Sequence, residues 1–360
     1  MRIAPLLASL LAAVAMFSPA AAWAQAKEQV RILVPAFTAE GHLGENVANV
    51  LRLQISGTFQ EAETGTRALM VFKPKPLKDF TQDAAVASTL KLTTLTHMVL
   101  WGRAYRFDDG VAVQAYLSDS PFRLKDKLRI PREVWTIQVG DAPPLAVDLP
   151  RQIYTFGTIV LSPKIVATYD KVMGSLPIFE DLTFTKQIGT IQEAFRAFQY
   201  KNDAVELASG GKRGWVQLPM LWAEHTEISD FTGAYIRILR GDWQGADVLL
   251  RALLESKKEP AEIQVDTLLL LGLSREKRGL SGADQFEAAA QLNEFDAASA
   301  MYLIMSRIAE TQRAVEGSTE RAGALDRLDS ALNRFAGLFS ADNVWFTTAR
   351  AAQKSLTENP

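Results

Sequence analysis

The sequence predicts a multidomain α+β protein, in which an α/β sheet domain precedes a small β-barrel and C-terminal α-helical repeats. Three observations predict it. β-rich apolar runs alternate with helical spacing up to about residue 145, short apolar runs between turn residues continue to residue 222, and amphipathic helical spacing fills the remainder. The chain has 360 residues, of which 48% are hydrophobic, so it is long enough to bury cores in two or three domains.

Residues 1–24 have the three-part layout of a secretory signal peptide. Arg2 supplies a positive charge, residues 3–17 are apolar, and Ala22 and Ala24 stand at positions −3 and −1 of a cleavage site. The apolar run is shorter than the roughly 20 residues that a spanning helix needs. We therefore expect cleavage after Ala24, with Ala26 as the alternative, and export to the periplasm with no membrane span after cleavage.

The composition argues against several functional classes. A net charge of −2 provides no field that would concentrate nucleic acid, so no nucleic-acid partner is expected. The chain contains no cysteine, which excludes disulfides, thiol nucleophiles and iron–sulfur centres. Stability must therefore come from the burial of apolar side chains.

The α/β domain is predicted for residues 27–145. Its expected elements are strands at 30–37, 68–72 and 134–139, helices from residue 45 and at 79–95, and a hairpin of 99–107 with 111–117 around an Asp-Asp-Gly turn. The first strand and the hairpin resemble the amino-terminal-like α/β domain of periplasmic TolB. That family precedes tetratricopeptide repeats in some sensors, and the resemblance carries no catalytic motif.

The barrel is predicted for residues 150–222. A Gly-Trp-Val strand at 214–216, with 188–191 as an earlier strand, resembles bacterial Src-homology-3-like (SH3-like) domains. The family's Asn-Val-Arg opening is absent, and Leu-Pro-Ile at 176–178 stands in its place. Aromatic residues beside the loops of such barrels can form a peptide groove, so the resemblance implies a possible groove at Tyr200 and Trp222. The alternative is that both side chains seal an interface with the neighbouring domains.

The helical domain is predicted for residues 229–356. Its first part resembles a tetratricopeptide repeat, with Ala234 as the small residue, Gly241 as the turn glycine, Trp243 as the aromatic residue and Ala246 in the second-helix core. A degenerate second copy uses Gly272. The closing proline is displaced in the first copy and missing from the second. The resemblance implies that these five residues serve repeat packing.

The candidate chemical groups have simpler structural interpretations. His42, His97 and His225 form no pair with metal-ligand spacing. The loop 38–44 lacks the glycine spacing of nucleotide-binding loops, and the acidic pair 108–109 suits a hairpin turn. We therefore predict no catalytic, cofactor-binding or metal-binding residue, and no enzyme.

These observations predict an exported periplasmic scaffold that binds another periplasmic or envelope protein on the concave face of its helical repeats. The alternative is an envelope sensor or cell-wall-binding protein whose SH3-like or α/β domain recognises a peptide or a peptidoglycan fragment. A hydrolase is the least favoured class, because the sequence shows no nucleophile–base pair.

Overall fold

The computed structural model describes residues 29–58, 67–73, 76, 98–107, 110–119, 133–151, 153–161, 176–192, 194–201, 204–217, 227–256 and 261–358. The predicted signal peptide, the predicted helix at 79–95, His97, Trp222 and His225 lie outside these residues. The described chain is a mixed α+β structure in which a sheet-rich region precedes a helical region. The coarse fold class predicted from the sequence is therefore confirmed.

The described residues contain twelve strands, ten of which form one sheet. In chain order they are β1 (Gln29–Pro35), β2 (Arg67–Lys73), β3 (Met98–Phe107), β4 (Gly110–Asp119), β5 (Glu133–Ile137), β6 (Leu145–Asp148), β7 (Ile153–Leu161), β8 (Pro177–Phe179), β9 (Gln187–Thr190), β10 (Ala194–Lys201), β11 (Ala204–Ser209) and β12 (Lys212–Gln217). The large sheet has the order β7-β4-β3-β1-β2-β10-β11-β12-β8-β9, and β5 pairs with β6 separately. Only the pairs β1–β2 and β1–β3 are parallel among the strand pairs described.

The first helix, α1 (Leu43–Thr58), covers one face of this sheet. Its residues Val47, Leu51 and Ile55 recur every four positions, lie on one side of the helix and are almost completely buried. The helix connects the parallel strands β1 and β2, as a crossover between neighbouring parallel strands must. The predicted first strand, first helix, second strand and hairpin are confirmed with small differences at their ends.

The structure does not confirm a separate SH3-like barrel. Strands β8 to β12 continue the large sheet, because β10 pairs antiparallel with β2 and places Phe195 opposite Met70. Helix α1 reaches across this join, where the Arg52 guanidinium lies over the rings of Phe72 and Phe195 at 4.7 and 5.3 Å. Short strands joined by tight turns give the same local pattern in a barrel and in a meander. Because β10 pairs with β2, these strands continue the large sheet as a meander.

Seven helices occupy the described part of residues 227–358. They are α2 (Glu227–Leu239), α3 (Trp243–Ser256), α4 (Ala261–Lys277), α5 (Ala283–Leu292), α6 (Ala297–Arg313), α7 (Thr319–Leu338) and α8 (Val344–Glu358). Helices α2, α4, α6 and α8 contact one another in succession and form what we call the inner layer. Each of α3, α5 and α7 packs against the two inner-layer helices that flank it in sequence. Pairs of helices therefore stack along one direction.

The strands β5 and β6 form a hairpin that leaves the large sheet between β4 and β7 and packs on the inner layer; we call it the inserted hairpin. Its buried apolar side chains join the core of the helices, and they are Val134, Trp135, Ile137, Val139, Leu145 and Val147. The Trp135 ring lies 6.0 Å from the Phe286 ring and 6.2 Å from the Tyr302 ring. The sheet-rich region thus contributes directly to the helical core.

Side chains of the inner layer also hold the backbone of the inserted hairpin. The Tyr302 hydroxyl donates to the Asp148 carbonyl at 2.5 Å, and the Trp345 indole N–H donates to the Ala146 carbonyl at 2.8 Å. The side-chain amide of Gln312 donates to the carbonyl of Gln138 at 2.8 Å. The first two of these hydrogen bonds are partly buried, and the third is exposed. Three side chains of the inner layer therefore hold the backbone of the inserted hairpin in place.

A second contact joins the two regions through β7. The rings of Tyr154 and Phe156 pack against Phe231 of α2 with centroid distances of 5.1 and 5.4 Å. Tyr154 also meets Tyr235 of the same helix edge to face at 5.0 Å. These four side chains are at least 99% buried. The large sheet and the inner layer therefore share a continuous aromatic contact.

Candidate functional site

An open cleft of about 520 Å³ lies where the large sheet meets the helices. It is bordered by the residues at the start of β7, by α4 and by the end of α5. Its lining residues are Arg151, Ile153, Thr155, Val265, Asp266, Leu292 and Asn293. Concave sites at the junction of structural units are common places for ligands and partners to bind.

Arg151 holds the polar floor of the cleft together. Its Nε lies 3.0 Å from Oδ1 of Asp266 on α4, and its Nη2 lies 2.7 Å from Oδ1 of Asp296. The other oxygen of Asp296 accepts a hydrogen bond from the backbone N–H of Ser299 at 2.9 Å and so caps the start of α6. One guanidinium therefore links the chain entering β7 to two inner-layer helices.

Burial is the main cause of the pKa shifts of the side chains at and near the base of the cleft. It raises the pKa of the Asp266 carboxyl to about 6, because the side chain is buried and its charged form loses hydration. The Arg151 charge opposes this shift, whereas the Asp296 charge adds to it. Burial also raises the pKa values of the Tyr154 and Tyr302 hydroxyls. Both carboxylates are paired with Arg151, so these buried charges serve to join chain segments.

We call Leu292 and Phe295 the apolar lip: Leu292 lines the cleft, and Phe295 lies two residues after Asn293, which also lines it. Leu292 is 53% exposed and ends α5, and Phe295 is 70% exposed in the turn before α6. Asn293 shapes this turn, because its side-chain oxygen accepts a hydrogen bond from the Phe295 N–H at 3.3 Å. No sequence motif indicated this site. The local sequence offered one sign of it, the apolar Phe295 between Asn293 and the helix-capping Asp296.

The five predicted repeat-packing residues lie at contacts between helices or in the turns that join them. Ala234 and Ala246 are fully buried, and Gly241 has a positive φ of 73° in the turn between α2 and α3. Trp243 begins α3, with the Lys277 ammonium 5.9 Å from its ring. A methyl group on Gly272 would lie 2.5 Å from the buried Phe286 ring, so only glycine lets α4 and α5 approach this closely.

The structure does not bring the predicted groove residue Tyr200 to the cleft. Tyr200 lies near the end of β10 and is 39% exposed, while four strands separate β10 from β7 in the sheet. Its proposed groove partner Trp222 lies outside the described residues. His42 is an exposed side chain whose Nδ1 lies 3.6 Å from a carboxylate oxygen of Glu45.

Within the described ranges, acidic and histidine side chains form no group that could hold a metal ion. No helix in the same ranges combines the length and apolar character needed to cross a membrane. Comparison of the chain with protein-family models, curated proteins and solved structures finds no match. Its function is therefore inferred from its own residues.

Proposed function

We propose that the chain is an exported, non-enzymatic scaffold that binds another envelope protein through the cleft and its apolar lip. The exposure of Leu292, which lines the cleft, and of Phe295, three residues further along the chain, carries this proposal. Apolar area removed from water stabilises a complex by roughly 25 cal/mol per Å². Two large apolar side chains that flank a cleft are more typical of an interaction site than single exposed residues are.

The inserted hairpin is the reason to place the partner at the cleft and not on the inner layer. The sequence predicts a partner on the concave face of the repeats. The inserted hairpin packs on the inner layer and contributes six buried apolar side chains to the helical core. Burial of each large apolar side chain is worth roughly 1.5–3 kcal/mol. A partner that displaced the hairpin would first have to replace most of that stabilisation.

We also propose that α2 to α8 are tetratricopeptide-like repeats. The stacking of the pairs α2–α3, α4–α5 and α6–α7 supports this assignment, as does the placing of a turn glycine at Gly241. The signal-peptide pattern of residues 1–24 supports export, and the periplasm is the proposed compartment.

A specific feature of the sheet favours the second candidate, a cell-wall-binding sensor. The guanidinium groups of Arg196 and Arg213 lie 4.4 and 4.0 Å from the centre of the Phe198 ring. Arginine and aromatic side chains together suit the carboxylates and sugar rings of cell-wall fragments. The scaffold proposal is preferred because Arg213 already pairs with Glu206 at 2.8 Å.

The test uses a photoreactive amino acid at position 295 in the exported full-length chain, followed by mass spectrometry of the adducts. We expect a protein adduct, and we expect Phe295→Ser to lower the amount of co-purified partner about tenfold, since losing one buried aromatic contact costs at least about 1.4 kcal/mol. The matched control is Val315→Ser, because Val315 is 73% exposed in the turn between α6 and α7. This control should leave the partner's recovery unchanged.

Two results would contradict the scaffold proposal. One is equal loss of the partner in the Phe295→Ser and Val315→Ser variants. The other is recovery of cell-wall fragments in place of a protein adduct, which would favour the sensor.

A further inference from the structure

The large sheet has an open face on the side away from α1. Helix α1 lies against Phe72 and Phe195, and successive residues of a strand point to opposite faces, so Arg196 belongs to the open face. Its cross-strand neighbours, Leu69 of β2 and Ala208 of β11, point the same way and are partly exposed. This face is therefore accessible to a ligand across β2, β10 and β11.

Three arginines occupy one straight row across the open face. Arg31 of β1 lies opposite Leu69 of β2, and Leu69 lies opposite Arg196 of β10. Arg196 lies opposite Ala208 of β11, which lies opposite Arg213 of β12. The arginines therefore lie on alternate strands, with backbones about 9.6 Å apart, because neighbouring strands are about 4.8 Å apart. We call Arg31, Arg196 and Arg213 the arginine row.

Two members of the arginine row share one aromatic ring. The guanidinium groups of Arg196 and Arg213 lie 4.4 and 4.0 Å from the centre of the Phe198 ring. The Arg213 side chain is 57% exposed, and its Nε donates to a carboxylate oxygen of Glu206 at 2.8 Å. A guanidinium carries five N–H donors, so a ring contact and one hydrogen bond do not use all of them. These contacts position the row before a ligand arrives.

The strands that carry the row are strongly basic, although the whole chain has a net charge of −2. Strands β1, β2, β10, β11 and β12 together contain seven lysine and arginine residues and one acidic residue, Glu206. Charge complementarity therefore favours an anionic ligand. Planar guanidinium groups pair with carboxylates through two parallel hydrogen bonds, and their straight arrangement suits a linear ligand.

A sugar chain fits this face better than a peptide does. Strands β10 and β11 are interior strands that pair on both sides, so a peptide cannot add to them as a further strand. The partly exposed Trp215 lies two residues beyond Arg213 and so points to the same face. Its ring supplies apolar surface on which a sugar ring can pack.

We propose that the arginine row binds a linear polysaccharide with a carboxylate on every second sugar, which lies across the strands of the open face. Alternate strands are separated by nearly the length of two sugar units in an extended glycan, so successive carboxylates each face one arginine. The uncharged sugars between them lie over Leu69 and Ala208. The inference goes beyond the scaffold proposal, whose partner binds at the cleft, and it names the ligand class of the second candidate function.

The test is isothermal titration calorimetry of the exported full-length chain with two sugars. The probes are a hyaluronan hexasaccharide, in which every second sugar carries a carboxylate, and the neutral hexasaccharide of N-acetylglucosamine. We expect the hyaluronan probe to bind at least about tenfold more tightly. Arg196→Gln and Arg31→Gln should each raise its Kd about tenfold, because each removes one charge-assisted pair. The matched control, Arg327→Gln, should leave the Kd unchanged, since Arg327 is an exposed arginine of α7 that also pairs with a glutamate.

Equal Kd values for the two sugars would overturn the charge assignment, and an unchanged Kd in Arg31→Gln would overturn the row. Tighter binding of a glutamate hexapeptide than of the hyaluronan probe would replace the sugar by an acidic peptide. Phe295→Ser should leave the hyaluronan Kd unchanged, because the row and the apolar lip lie on different structural elements. Hyaluronan binding without a protein adduct at position 295 would therefore contradict only the scaffold, and an adduct without hyaluronan binding would contradict only the glycan inference.

Discussion

Replacing Trp135 by alanine should lower the free energy of unfolding by about 3–5 kcal/mol. Trp135 belongs to the inserted hairpin, is 92% buried, and packs against Phe286 of α5 and Tyr302 of α6. Its removal leaves a cavity that the surrounding helices can close only in part. Because the hairpin is continuous with the large sheet, both regions should lose stability together. Urea unfolding followed by circular dichroism and fluorescence measures the change.

The control for this prediction is Val248→Ala on α3, where the valine is 61% exposed. Exposed substitutions usually change stability by less than about 0.5 kcal/mol. If Trp135→Ala costs no more than this control, the packing of the hairpin in the helical core is wrong. The same conclusion would follow if the helices of Trp135→Ala unfolded at the same urea concentration as those of the wild type.

Replacing Asp266 by asparagine should remove a pH-dependent part of the stability worth about 3 kcal/mol. The folded-state pKa of Asp266 is raised from 3.8 to about 6, chiefly by burial. A raised pKa means that the folded state binds the proton more tightly than the unfolded chain. The stabilisation is therefore complete below about pH 4 and disappears as the pH rises through 6. The difference in unfolding free energy between wild type and Asp266→Asn should fall by about this amount between pH 4 and pH 7.

Asp329→Asn should change the pH dependence of the unfolding free energy in the opposite direction to Asp266→Asn. Hydrogen bonds from Gln353 and Arg350 lower the pKa of Asp329, so its stabilisation is lost as the pH falls. The difference in unfolding free energy between wild type and Asp329→Asn should accordingly grow as the pH rises from 3 to 5.

If the unfolding free energies of the wild-type and Asp266→Asn proteins depend on pH in the same way, the Asp266 carboxyl does not have a raised pKa.

Local sequence patterns predicted the elements that local physics determines. Four-residue spacing of Val47, Leu51 and Ile55 predicted α1, and a turn ending in Gly110 predicted the hairpin of β3 and β4. Helical spacing after residue 229 predicted the helical region. In each case the residues that decide the structure lie within a few positions of one another.

The features that the sequence did not reveal depend on distant residues. Arg151 and Asp296 are 145 positions apart, Asp148 and Tyr302 are 154 apart, and Ala146 and Trp345 are 199 apart. Residue periodicity shows which face of an element is apolar, but it does not identify the element that covers it. For this reason the inserted hairpin, the cleft and the joining of β10 to β2 could not be predicted.

The aromatic contacts between β7 and α2 make a truncated chain unsuitable for binding experiments. A cut before Ser229 would remove most of α2 and all of α3 to α8, and it would uncover Tyr154 and Phe156, which pack against Phe231. Such a truncated chain would lose stability together with any binding surface. Experiments on the whole chain avoid this ambiguity.

The occupation of the inner layer by the inserted hairpin is the central claim, and cysteine crosslinking tests it most directly. The chain contains no cysteine, so Gln138→Cys with Gln312→Cys introduces one reactive pair at a contact between the hairpin and α6. A short bifunctional maleimide should join this pair rapidly in the folded full-length chain. The control pair, Gln138→Cys with Val248→Cys on α3, should not be joined. Equal crosslinking of the two pairs, or none in the first, would contradict the account.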